Sequence, residues 1–196
     1  TGGTWTYSGL SSTSAPNGSF NFTPVSEGTY YFDVVVEDGA GNRSSSPTGN
    51  GGTSTIYDIT VPTVGSINVP AYTNLNPLPV VYGSATDNLS GVSSYRLYYK
   101  LGAGGTWTDV GVNLDPSGGS VDFNIPSSIE GVYYLALRAV DSAGNDTGAP
   151  VGNGLTSFMY DVTRPLNLSS VLINPPYVNS SGLPVQVSYT GASDAG

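Results

Sequence analysis

The chain has 196 residues, with 14 Asp plus Glu against five Lys plus Arg, a net charge of −9, and neither histidine nor cysteine. That charge balance excludes nucleic acid and acidic lipid surfaces, because nothing here could neutralise a run of phosphates, and it favours a divalent cation instead. Without cysteine there are no disulfides, Cys–zinc sites or thiol catalysis; without histidine the usual triad base and transition-metal ligand are missing. Hydrophobic residues make up 38% of the chain and charged ones only 10%. A globular fold is therefore expected, kept soluble by Ser, Thr, Asn and Gly, a profile that suits an extracellular surface. No apolar run reaches the length of a membrane span, and no basic-then-apolar leader opens the sequence. The opening Thr1-Gly-Gly-Thr-Trp5 reads as the interior of something longer.

In chain order, residues 1–62 supply the back part of one unit. A strand starts at Gly28, with Tyr30, Phe32, Val34 and Val36 on the inner face and Asp33, Val35 and Glu37 outside. Period two with aromatic and β-branched residues marks a half-buried strand. The Asp38-Gly-Ala-Gly-Asn42 that follows is turn chemistry, since Gly permits positive φ and Asp and Asn bond the local backbone. Residues 63–162 read as a complete unit of seven strands, at 65–69, 78–85, 93–101, 106–110, 120–124, 132–141 and 156–161. In the sixth of these, Tyr133, Leu135, Leu137 and Ala139 are expected inside and Ala136, Arg138 and Val140 outside. Residues 163–196 supply only the front two strands of a further unit, with Leu183, Val185 and Val187 alternating as a buried strand should. No segment carries a helical period, and short strands separated by turns argue an all-β sandwich.

The units repeat. Gly2-Gly-Thr-Trp-Thr6 recurs as Gly104-Gly-Thr-Trp-Thr108, and Gly28 to Asn42 recurs as Gly131 to Asn145. The linker Tyr57-Asp-Ile-Thr-Val-Pro62 recurs as Tyr160-Asp-Val-Thr-Arg-Pro165. The period is about a hundred residues, the size of one sandwich domain. The two partial pieces are nearly complementary, so adjacent repeats of one chain, or neighbouring copies, are expected to complete each other's sheets head to tail.

These motifs resemble the bacterial Ig-like repeats, related in shape to fibronectin type III domains: the Tyr-Asp-x-Thr-x-Pro linker, the Asp87-Asn-Leu-Ser-Gly91 turn and the strand ending Asp-x-Ala-Gly-Asn. The resemblance implies tandem seven-strand, antiparallel Greek-key sandwiches in large surface or secreted proteins. It also implies a structural role as fibre, stalk or surface-layer part, with an adhesin or carbohydrate-binding accessory module as the alternative. The Ig disulfide is absent, and Tyr30 and Tyr133 stand where a tyrosine corner belongs.

Three sets of residues are candidates for a site. In such a sandwich the loops after the second and sixth strands and the incoming linker share one end. Asp58, Asp87, Asn88, Asp141 and Asn145 are thus expected to converge, and oxygen ligands on loops suit Ca²⁺. The competing reading is that they only cap turns. Trp107, and Trp5 before it, follow Gly-Gly-Thr and could stack on a sugar, against a plain packing role. Catalysis is not expected. Lys100 is the only lysine and has no Ser-x-x-Lys before it, while Glu27 and Glu130 are repeat equivalents better explained by the fold.

Overall fold

The computed structural model describes residues 3–13, 17–174, 176–177, 179, 181, 183–191 and 193. The described residues form twelve strands: β1 Gly28–Phe32, β2 Thr53–Tyr57, β3 Ile67–Asn68, β4 Tyr72–Thr73, β5 Leu78–Tyr82, β6 Val92–Leu101, β7 Thr108–Asn113, β8 Gly119–Phe123, β9 Gly131–Asp141, β10 Thr156–Tyr160, β11 Ser170–Ile173 and β12 Val187–Thr190. A 3₁₀ turn lies at Pro126–Ser128, and no helix among the described residues is long and apolar enough to cross a membrane.

Residues 67–160 form two facing sheets, one ordered β3-β5-β8 and the other β4-β10-β9-β6-β7. All pairings are antiparallel except β4 with β10. The chain is all-β with a sandwich at its centre, as its alternation demands. Leu78, Val80, Tyr95, Leu97, Phe123, Tyr133, Leu135 and Phe158 fill the space between the sheets. Each such side chain contributes about 1.5–3 kcal/mol by leaving water. Tyr133 stacks on Phe158 with ring centres 5.4 Å apart, and Phe123 meets Tyr133 edge-on at 6.2 Å. Gly65 lets β3 approach β5 closely, because a Cβ there would lie 2.5 Å from the carbonyl carbon of Gly83.

All seven strands expected in this region occur, with differences at their edges. The fourth begins at Thr108 rather than at 106. Gly105 closes a turn onto Gly102 first, its N–H bonding the Gly102 carbonyl at 3.1 Å. The short β4 was not expected, as two residues carry no readable period. It exists because Ala71 and Thr73 carbonyls accept the N–H groups of Met159 and Asp161 along the edge of β10. In β9 the expected register holds: Tyr133, Leu135, Leu137 and Ala139 are buried and Arg138 lies on the other face. That other face is more covered than expected, since Ala136 is also buried and the Arg138 side chain is only 33% exposed.

Outside residues 67–160 the strands are bare. Among the described residues β1 pairs only with β2 and β11 only with β12. Val34 and Val36, expected inside, are 63% and 64% exposed. Their equivalents Leu137 and Ala139 are buried because β9 pairs with β6 over its whole length. β1 has no such partner among the described residues and stops at Phe32. Leu183, Val185 and Val187 are likewise exposed, and among the described residues no sheet joins β11–β12 to β1–β2.

Candidate metal centre at the linker

Three of the five expected metal ligands meet. Asp58 follows β2 in the linker, Asp87 opens the turn after β5, and Asp141 ends β9. One carboxylate oxygen from each lies within 4.8 Å of the others. Asp58 and Asp141 are 5% and 2% exposed, and Asp87 is half-buried. None of the three ion pairs formed by the described residues includes them.

Backbone N–H groups hold each carboxylate in place. Asp58 accepts from Thr60 N at 3.0 Å and from Ser90 N at 2.9 Å, which ties the linker to the turn after β5. Asp87 Oδ2 accepts from Leu89 N at 3.0 Å and Gly91 N at 2.7 Å. Asp141 accepts from Asn145 N at 2.8 Å and Asn145 Nδ2 at 2.7 Å. Hydrogen bonding from Ser90 leads in holding the Asp58 carboxyl below its ordinary pKa, against burial. For Asp141 burial is the largest influence and pushes upward, but the bonds from Asn145 and Gly144 together leave the pKa lowered. Both groups are therefore carboxylates at neutral pH, and Coulomb repulsion between them works the other way on Asp141.

Turn capping accounts for part of this arrangement. The Asp38 turn has the same bonds to Asn42, N–H at 2.9 Å and Nδ2 at 2.8 Å, without the other two carboxylates. So Asp141 and Asn145 need no ion to adopt their conformation. Capping does not account for Asp87 Oδ1, which is buried and has no hydrogen-bond partner. Buried polar oxygens are nearly always satisfied, so Asp87 Oδ1 is a feature of the cluster that turn capping leaves over.

The other two expected ligands stand differently. Asn145 turns its amide N–H groups inward, donating to Asp141 Oδ2 and to the Asp58 carbonyl at 3.0 Å. It positions the carboxylates and presents a donor where a cation would need an acceptor. Asn88 points away, its Nδ2 donating to Glu27 Oε2 at 3.4 Å. Asp161 sits at the equivalent of Asp58 and caps Thr163 N at 2.8 Å. Asp194, in the front part of the following unit, lies outside the described residues.

Sequence reasoning missed the work of Glu27 and Glu130. Glu27 Oε1 accepts from Ile59 N and Thr60 Oγ1, both at 2.7 Å. Glu130 Oε1 accepts from Val162 N at 2.8 Å and Thr163 Oγ1 at 2.9 Å. Each clamps the linker that follows its unit, and the bond from Val162 N heads the causes that lower the Glu130 pKa. The signal was present, for both glutamates recur in register with the Asp-x-Thr of the linker.

Trp107 is already engaged. Its ring edge lies over Gly154, where φ is +66° and a Cβ would stand 2.6 Å from the indole. The Lys100 ammonium lies 5.2 Å from the Trp107 ring centre and 5.0 Å from that of Tyr134. Lys100 is buried and donates to the Ala103 carbonyl at 2.6 Å. Trp5 repeats this placement over Gly51. In both units the indole edge thus packs against a glycine of a later loop.

Comparison with known families agrees with this architecture. The family model described as bacterial Ig-like domain matches residues 7–50 and 80–152. No curated protein matches the chain. Since the family match covers more than half of the sequence, the chain belongs to the bacterial Ig-like domain family.

Proposed function

We propose that this chain is a structural segment of an extracellular tandem-repeat protein, a fibre, stalk or surface-layer component, with Ca²⁺ stiffening its junctions. Bacterial Ig-like domains are structural or surface modules, typically not enzymes and common in extracellular proteins. The observation that carries the reading is the duplicated clamp, in which Glu27 and Glu130 grip successive linkers through the same pair of groups. Two junctions built alike favour a regular array over a single specialised contact. Adjacent repeats, of this chain or of a second copy, would cover the exposed faces of β1–β2 and β11–β12 head to tail.

Calcium is supported by the orphan Asp87 Oδ1 between two ionised neighbours. Asp58, Asp87 and Asp141 would be the protein ligands. The Ser90 hydroxyl and water would complete a shell of the oxygen-rich, flexible kind Ca²⁺ takes. The ion would lock linker, turn and strand end into one piece. Small-angle scattering on the full chain tests this: added Ca²⁺ should narrow the spread of inter-unit angles and chelator should restore it. An unchanged profile with both would leave the carboxylates as turn caps alone. The adhesin alternative gains nothing from Trp107, whose ring is taken up by Lys100 and Gly154.

A further inference from the structure

On the outer face of the five-stranded sheet, Arg96 of β6 and Arg138 of β9 stand directly opposite each other. Like charges in that position destabilise a sheet. Carboxylates flank the pair on its far sides, so the charges run Asp109, Arg96, Arg138, Asp146 across the face. Arg96 Nη1 donates to Asp109 Oδ2 at 3.3 Å. Arg138 donates through Nε and Nη2 to Asp146, and through Nη1 to the Tyr98 hydroxyl at 3.3 Å. The gap between the two guanidinium groups holds no carboxylate. Around it Ser94, Arg96, Tyr98, Asp109, Arg138 and Val140 line a groove of about 310 Å³. That is the low end of the range for small-molecule sites, about 300–1,000 Å³.

The donors facing this groove are underused. Among the described residues Arg96 has the single bond to Asp109, which leaves most of its N–H groups unpaired. Tyr98 accepts from Arg138, so its own O–H is left to donate. We infer that this groove binds the carboxylate of a terminal acidic sugar, with Arg96 taking the carboxylate. Tyr98 and Ser94 hydroxyls and the Asp109 carboxylate meet the ring hydroxyls, and Val140 with the Tyr98 ring packs on its C–H face. The chain's overall negative charge disfavours a polyanion but not a lone carboxylate. At physiological salt, charges beyond about 8 Å are largely screened, so the groups that matter are Arg96 and Arg138 with their partners Asp109 and Asp146, which leave the groove close to neutral rather than negative. This site is separate from the carboxylate cluster and independent of the spacer reading.

The test is an NMR titration of the full chain with methyl glucuronide, methyl glucoside and acetate. The glucuronide should produce saturable amide shifts confined to Ser94–Tyr98 and Arg138–Val140. The glucoside should bind about tenfold or more weakly, the ratio set by losing one charged hydrogen bond. Arg96→Gln should abolish the shifts with little change in melting temperature, because its ion pair is half-exposed. Ser94→Tyr, which fills the groove and keeps both arginines, should abolish them as well. Absence of saturable shifts, equal affinity for glucoside or acetate, or unchanged binding in both variants would overturn the assignment.

Discussion

At the scale of single residues, the buried tyrosine and the linker carboxylates carry the sharpest expectations. The Tyr133 hydroxyl donates to the Ile129 carbonyl at 2.9 Å, as Tyr30 does to Ser26 at 2.8 Å. Tyr133→Phe keeps the ring packing and orphans one acceptor, so chemical denaturation should show a loss of about 0.5–1.5 kcal/mol. Asp58, Asp141 and Asp146 all have lowered pKa values in the folded chain. A lowered carboxyl contributes stability above its unfolded value, near 3.9, and that contribution disappears as pH falls through the folded value. Melting temperature should therefore hold steady from neutrality to about pH 4 and drop below it. Loss of stability beginning near pH 6 would mean that other groups govern acid unfolding. Asp87→Asn separates the two readings of the cluster. Asn keeps an oxygen to accept from Leu89 and Gly91 and removes the charge. The variant should be at least as stable as the parent in chelator, yet lose the response to Ca²⁺.

Elements owe their edges to contacts as much as to their own residues. β9 and β1 begin with the same Gly-x-Tyr-Tyr, yet β9 runs for 11 residues and β1 for five. The difference is β6, which zips along β9 from Val92 to Leu101 and has no counterpart beside β1 among the described residues. The inward face of β9 was readable from alternation alone. The cover on its outer face was not, because Lys100 comes from β6 and Trp107 from the loop before β7, both distant in sequence. The loop before β10 depends on that cover. Gly154→Ala would bring a Cβ within 2.6 Å of the indole at a φ of +66°. It should cost about 1–3 kcal/mol and shift Trp fluorescence, since the ring must move. An unperturbed emission spectrum would show that the backbone yields instead. Leu135→Ala, at the centre of the core, should cost about 2–5 kcal/mol by the same denaturation measurement.

For the whole molecule, burial is uneven, and stability should be uneven with it. The core lies within residues 78–160, while β1–β2 and β11–β12 present bare faces. Amide hydrogen exchange should be slowest in β6 and β9 and fast in both outer hairpins. That is the expectation for the dilute monomer; the head-to-tail proposal requires the hairpins to gain protection, and sedimentation to show association, as concentration rises, and hairpins unprotected at every concentration would count against completion by a second copy. Calcium acts at this scale too. At a free concentration about 100 times its Kd, a ligand that binds only the folded state adds about 2.7 kcal/mol. For a chain of this size that corresponds to a melting temperature rise of roughly 5–10 °C. A melt insensitive to both Ca²⁺ and chelator would count against the ion.

Alternation, turn residues and self-similarity determined the all-β class, the seven strand positions in residues 63–162 and the inward register of β9. These are local properties: side-chain period and backbone permissiveness are written residue by residue. The meeting of Asp58, Asp87 and Asp141 was also inferable, because sandwich topology sends those loops to one end. Only the tertiary structure decided which way each polar group faces. It turned the Asn145 amide N–H groups inward, sent Asn88 to Glu27, left Asp87 Oδ1 without a partner and laid Lys100 against Trp107. Such outcomes depend on competition among donors and acceptors that are distant in sequence, and no local pattern encodes which of them wins.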